Sequence, residues 1–219
     1  MKSSAHPPLQ ARSKKTMDRL LEATIVVIQE KGLAGVTVPR VASAAGLSTG
    51  SIYRRFTDKD SLIGTAFLRV LEASRQANTD ALPADRFQGL NLGEALQQLA
   101  LGLVAQYRGR TAVLKALDQF LEEQSDEDFR ESALAHVEAN MRCVLETLLP
   151  FQNEIAADDP ERALTFALLN ATTLIEVHKL HIPLVWRRML PLDDHALAVE
   201  AARTMAAYLN FRPAPAHEL

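Results

Sequence analysis

Between residues 48 and 59 the chain places Ser48, Thr49, Gly50 and Ser51 ahead of Tyr53, Arg54, Arg55 and Lys59, with Thr37 a short way upstream. Hydroxyls, a phenol, guanidiniums and an ammonium in one short stretch suit hydrogen bonding and charge pairing to a polyanion. Bond-breaking chemistry would need a paired nucleophile and base or a metal site. The sequence contains no G-x-S-x-G, P-loop, H-E-x-x-H or glycine-rich dinucleotide pattern.

The elements that must position these groups are legible around them. A first helix is expected over Thr16–Lys31, with Met17, Leu20, Leu21, Thr24 and Ile28 on one face and Gly32 ending it in a left-handed cap. A second starts at Thr37, whose hydroxyl can accept from an orphan backbone N–H, while Val36 and Val41 stand at staple positions. Pro39 is harmless so early in a helix. Ala42 and Ala45 allow a close helix crossing, and Gly46 supplies a turn with positive φ. Ser48 then opens a third helix, stapled by Leu47 and Ile52. Ile52 and Phe56 face inward, leaving Thr49, Gly50, Ser51, Tyr53, Arg54 and Arg55 mostly outside. Two short helices joined by a tight turn, the second polar and basic on its free side, form a helix-turn-helix able to enter the DNA major groove.

Charge placement agrees. The net charge is only -3, but residues 1–65 carry ten Lys or Arg against five Asp or Glu, and residues 66–219 carry fourteen against twenty-two. A basic module facing phosphates beside an acidic module facing something else fits this split. At 47% hydrophobic and 23% charged, the 219 residues suit a globular chain. Cys143 is the single cysteine, so no intrachain disulfide exists, and a reducing cytoplasm is the expected compartment. Charge-free stretches such as Ala163 to Ile175 fall short of the roughly 20 residues a membrane span needs, and the N-terminus shows no signal-peptide core.

The stretch "TVPRVASAAGLSTGSIYRRFTDKDSLI" resembles the DNA-binding region of the tetracycline-repressor (TetR) family of bacterial regulators, matching at Thr37, Ala42, Ala45, Gly46, Ser48, Gly50, Tyr53, Phe56, Lys59 and Leu62. With the preceding helix the similarity covers roughly residues 13 to 63. Pro39, Val41 and Arg55 depart from commoner choices, which leaves the operator sequence open. The resemblance implies that Thr37, Tyr53 and Lys59 contact phosphates and that Thr49 and Ser51 reach base edges. Gly50 lets the backbone approach. Arg54 or Arg55 could fork onto guanine; a plain phosphate contact or a solvated charge is an equal reading. Arg12, Lys14 and Lys15 add nonspecific attraction.

The remaining sequence reads as helix throughout, making the chain all-α; the resemblance implies an N-terminal three-helix helix-turn-helix DNA-binding domain followed by a helical ligand-binding and dimerisation domain. A fourth helix follows Phe56, capped by Thr57 or Asp58, with Leu62, Phe67, Val70 and Leu71 toward a core. Pro83, Gly89 and Gly93 mark a loop before three further helices. Asp159 and Pro160 start a helix with no charge from Ala163 to Ile175, which either a subunit interface or a central position explains. The last helix carries Ala196, Ala198, Ala201, Ala202, Ala206 and Ala207, small enough for close helix contact. In the resembling family the last two helices pair with their equivalents in a homodimer, and the helical domain binds a small effector.

The expected organisation is therefore a flexible basic arm over 1–13, a DNA-binding domain over 14–63, a helical domain over 64–211 and a flexible tail over 212–219. Candidate pocket residues are Phe67, Tyr107, Phe120, Asn140, Met141, Phe166, Asn170, His178 and Trp186, for which core or interface roles stay open. His178 and His181 near Glu176 lack an evident third ligand, so neither metal nor cofactor is expected. Cys143 reads as a small hydrophobe. The expected function is a ligand-responsive repressor on a palindromic operator, not an enzyme. A constitutive DNA-binding protein is the alternative, and an enzyme with an accessory DNA-binding domain the weaker one.

Overall fold

The computed structural model describes residues 9–83, 85–123 and 126–210, and every regular element among them is helical. Ten α-helices follow in order: α1 (Leu9–Lys31), α2 (Val38–Ala45), α3 (Thr49–Tyr53), α4 (Lys59–Ala81), α5 (Leu92–Ala105), α6 (Thr111–Glu123), α7 (Glu127–Glu146), α8 (Pro160–Glu176), α9 (Leu184–Met189) and α10 (Asp194–Leu209). The chain divides into two compact units, one of Met1–Ala73 with Lys115–His136, the other of Ser74–Leu114 with Val137–Leu219.

In the first unit α1 begins at Leu9 rather than Thr16, so residues 9–13, expected to be a flexible arm, are helical. The reason is composition: from Leu9 onward the segment has no glycine or proline and is rich in good helix formers. The rest of the arm and the tail from 212 lie outside the described residues. Leu20, Thr24 and Ile28 are fully buried, and the Thr24 hydroxyl donates to the Leu20 carbonyl at 2.8 Å, which satisfies it inside the core.

Gly32 and Gly46 adopt φ of 68° and 62°, as the sequence requires of them. Arg19 donates to the Ala45 carbonyl at 2.5 Å, closing the end of α2 with a cation. Asp58 caps α4, its carboxylate accepting from the Ser61 N–H at 2.7 Å. Further along, Phe67, Phe120 and Phe129 form a chain of rings with centroids 5.4 and 5.2 Å apart. A side chain at Gly64 would crowd Phe129.

The core of the second unit is α5, α8 and α10, with Leu96, Leu164 and Leu197 fully buried among them. Asn91 and Glu94 form a capping box, which draws Gly93 into the first turn of α5 instead of the loop expected there. Asp159 caps α8 with Pro160 in its first turn, as expected. The end of α8 widens into a π-helical turn over Val177–His181. Asp194 at the start of α10 takes bonds from Lys179 at 2.5 Å and Arg108 at 3.0 Å.

The alanines of α10 do not form an outward stripe. Ala198, Ala201 and Ala202 are buried within their own unit; Ala196 and Ala206 are half-buried and only Ala207 is exposed. What α8 and α10 turn outward is larger and apolar: Phe166, Leu169, Leu174 and Tyr208, with the Phe166 and Tyr208 rings 5.0 Å apart.

Candidate nucleic-acid interface

The sequence around α2 and α3 builds a small scaffold whose buried side is apolar. Val38, Val41, Ala42 and Ala45 of α2 pack against α1, and Ile52 and Phe56 anchor α3. Each buried aliphatic side chain contributes about 1.5–3 kcal/mol, which holds α3 in place despite its five residues. The opposite side carries the polar set. Thr37 is exposed, and its hydroxyl accepts from the Arg40 N–H at 3.4 Å, leaving its donor free. Arg40 itself bonds the Gly35 carbonyl. Ser48, Thr49 and Gly50 are exposed, and Tyr53 is 61% exposed.

Ser51 departs from expectation. It is only 9% exposed, its hydroxyl 3.0 Å from that of Ser48 and accepting from Arg54 at 3.2 Å. Ser51 therefore faces the scaffold, because a serine one position before Ile52 on so short a helix falls at the edge of the buried side. Arg55 is half-buried and donates to the Ser51 carbonyl at 3.0 Å, which ties it to the helix end. Arg54 remains exposed. Lys59 opens α4 with its ammonium 3.8 Å from Asp60, a distance that leaves it available to another anion. The bond from the Ser61 backbone N–H, helped by the Thr57 hydroxyl, holds the Asp58 carboxyl below its ordinary pKa, so the cap of α4 is charged at neutral pH.

The candidate pocket residues do not converge on one place. Phe67 and Phe120 belong to the aromatic chain of the first unit. In the second unit Asn140 accepts from Asn78 at 2.6 Å, and Asn78 in turn accepts from Gln106 at 2.7 Å. Tyr107 is half-buried, and burial with the nearby Glu176 charge pushes its phenol up to about 12. Met141 lines a groove between α7 and α8. Phe166 and Asn170 lie on the exposed face of α8, where Asn170 bonds the Phe166 carbonyl at 2.8 Å, and Trp186 is exposed on α9. His178 is half-buried, with its Nδ1 enclosed and unpartnered among the described residues. Asn78 and Gln106 were not singled out from sequence. The available signal was Asn78 recurring one heptad after Leu71 on the buried line of α4. No group of three metal-ligating side chains occurs among the described residues, and no helix there is long and apolar enough to cross a membrane.

An all-helical chain whose short α2 and α3 meet at a glycine turn, with a polar and basic free side, defines the helix-turn-helix class. The family model described as bacterial regulatory proteins, tetR family, matches residues 20–66. HTH-type transcriptional regulators named BetI are similar over part of the chain. One from Stenotrophomonas maltophilia is 38% identical over 60 residues, 27% of this chain and 31% of its own length. One from Paraburkholderia xenovorans is 39% identical over 61 residues, 28% of this chain and 31% of its own. The chain thus spans about a third of the length of the curated relatives it matches. Among solved structures, a chain from Mesorhizobium loti described as a TetR-family transcriptional regulator superposes with a TM-score of 0.69 at 19% identity, over 91% of this chain and 97% of that one. The regulator FadR from Bacillus subtilis, in complex with stearoyl-CoA, gives 0.60 at 15% identity, over 88% and 97%. Residues 20–66 thus match the tetR family of bacterial regulatory proteins, and the fold of the chain is like that of the TetR-family regulator on which it superposes.

Proposed function

We propose that this protein is a cytoplasmic, ligand-responsive transcriptional repressor that binds a palindromic operator as a homodimer. The observation that carries the reading is α3: its buried side is fixed by Ile52 and Phe56, while Thr49, Gly50, Tyr53 and Arg54 stand exposed on its free side. Thr37, Tyr53 and Lys59 take phosphates, Ser48, Thr49 and Gly50 meet the groove floor, and Arg54 reads a base or a phosphate. Ser51 and Arg55 shape the helix. In this reading residues 14–63 are the DNA-binding domain and 64–211 the ligand-binding and dimerisation domain.

Homodimerisation is supported by the outward apolar face of α8 and α10, since large exposed apolar surfaces mark interaction sites. A two-fold pair of half-sites needs a two-fold protein. Effector binding is supported by the likeness to FadR in its stearoyl-CoA complex and by the polar groups inside the second unit. Helix α4, like α6 and α7, contributes to both units, and because it follows α3 directly it is, in this reading, the element through which a ligand alters spacing between recognition helices. That spacing must stay near about 34–36 Å for operator binding. A ligand releases DNA only by binding the released arrangement more tightly.

The test is titration of operator DNA, taken from beside the protein's own gene, with and without candidate amphipathic compounds such as an acyl-CoA. Reciprocal weakening of DNA and compound binding is expected. Compounds that bind and leave operator affinity unchanged would favour a constitutive DNA-binding protein.

A further inference from the structure

The apolar surface of α8 does not stop at the end of that helix. Leu184, Val185, Trp186, Met189 and Leu190 on and beside α9 are each between 55% and 69% exposed. Five large apolar side chains in so short a segment are costly in water and mark a surface made for a partner. Arg187 and Arg188 sit among them, with no ion pair to an acid among the described residues. The segment is therefore apolar and cationic together.

The complementary feature runs along α8 from its other end, from Glu161 to Thr172. Between α7 and α8 runs an open groove of about 490 Å³ with Met141, Leu145, Leu168 and Leu169 along it and Glu138 and Glu161 at its edge. Arg142, which also lines the groove, bonds Glu138 at 2.9 Å. Glu161 makes no ion pair among the described residues, although Arg142 lines the same groove, and it stands in the first turn of α8 beside Asp159. Helix α8 thus begins beside Asp159 and Glu161 and is followed by guanidiniums that make no ion pair among the described residues.

We infer that α9 is an arm that seats Trp186 in the α7–α8 groove of a second copy of this chain, with Arg187 or Arg188 meeting Glu161 of that copy. The inference rests on the homodimer reading above and extends its interface beyond α8 and α10. Its geometry follows from charge. A two-fold contact across the outward face of α8 can set the two α8 helices parallel or antiparallel. Only the antiparallel choice brings the cationic end of one to the acidic end of the other, and it also opposes the helix dipoles favourably. A helix of 17 residues is about 26 Å long at 1.5 Å per residue, so the arm leaves one α8 beside the start of its mate. Each copy gives one arm and receives one, which closes the assembly as a dimer. A tryptophan flanked by arginines has the composition of an interface hot spot.

Trp186 is the single tryptophan of the chain, so its fluorescence reports on the arm alone. The experiment follows emission and acrylamide quenching of the full-length protein across a dilution series, with sedimentation measured on the same samples. In the dimer, emission is expected to be blue-shifted and protected; on dilution to monomer, it shifts red and quenching rises. Glu161→Arg, or Arg187→Glu with Arg188→Glu, is expected to weaken dimerisation about tenfold or more, and combining the reversals to restore most of it.

A dimer whose Trp186 emits and quenches as free indole overturns the inference and leaves the homodimer reading standing. Protection already complete in the monomer overturns it too. Protection in the dimer with no response to the charge reversals overturns the groove as its seat. A chain that sediments as a monomer at every concentration sinks the homodimer reading, and this inference with it.

Discussion

The hydroxyls of Ser48 and Ser51 lie 3.0 Å apart on the first turn of α3, and the Ser51 hydroxyl also accepts from Arg54 at 3.2 Å. This buried oxygen joins the entry of α3 to Arg54 at its end. Ser51→Ala is expected to cost about 1 kcal/mol of stability and to weaken operator binding without altering which bases are preferred. Thr49→Ala, at an exposed position, is expected to change the preference at one base pair. Denaturant titration and a base-substitution binding series separate the two. A changed base preference in Ser51→Ala would show that its hydroxyl leaves the scaffold on binding.

Lys59 has a different role. Its ammonium is exposed and 3.8 Å from Asp60, an interaction worth little in water. Lys59→Ala is expected to weaken all duplexes alike and to lower the slope of log affinity against log salt by about one. Anisotropy titrations at several salt concentrations measure this directly. An unchanged slope would remove Lys59 from the phosphate contacts.

The helix-turn-helix was legible because local rules decide it. Thr37 as cap, Gly46 at positive φ and the Ile52–Phe56 anchor act within a few residues of chain, so sequence spacing carries the information. Ser51 escapes such rules because α3 is so short that its buried edge depends on what α2 and Arg54 do. The alanines of α10 mislead for a related reason: small residues permit close packing, but whether the neighbour is α5 of the same chain or another copy is a tertiary matter. Candidate pocket residues are scattered because an apolar residue that lines a cavity looks, in sequence, like one that fills a core. The short α9 and the π-helical turn before it have no periodic signal to betray them.

This relocation of the alanines changes which substitutions test the dimer. Ala202 is 3% exposed inside the α5–α8–α10 core, so Ala202→Glu is expected to cost several kcal/mol by burying a charge and overfilling the site. It would unfold the second unit, not merely separate the subunits. Phe166 is 46% exposed, and Phe166→Arg is expected to leave the helical circular-dichroism signal intact while shifting sedimentation from dimer to monomer. A folded, dimeric Phe166→Arg variant would place the interface on another face.

The last expectation concerns acid. His178 lies in the π-helical turn after α8 with Nδ1 enclosed and unpartnered among the described residues. Burial lowers its pKa first, the neighbouring Lys179 and Arg187 charges lower it further, and Asp194 opposes them. The folded ring is therefore neutral, whereas the unfolded ring takes a proton near about pH 6.5. A depressed pKa means that the stabilising contribution is fully present above about 6.5 and is lost as pH falls through the folded value. Asp194 behaves in the same direction but lower on the scale: the bonds from Lys179 and Arg108 hold its carboxyl below the ordinary carboxylate range, so its contribution is lost only in stronger acid than that of His178. Denaturant unfolding between pH 7.5 and 5 separates the two residues. Wild type is expected to lose stability across that range more steeply than His178→Gln, with the curves closest at the acid end. If the two proteins lose stability in parallel, the enclosed Nδ1 is not what opposes protonation, and the acid sensitivity of the second unit lies elsewhere.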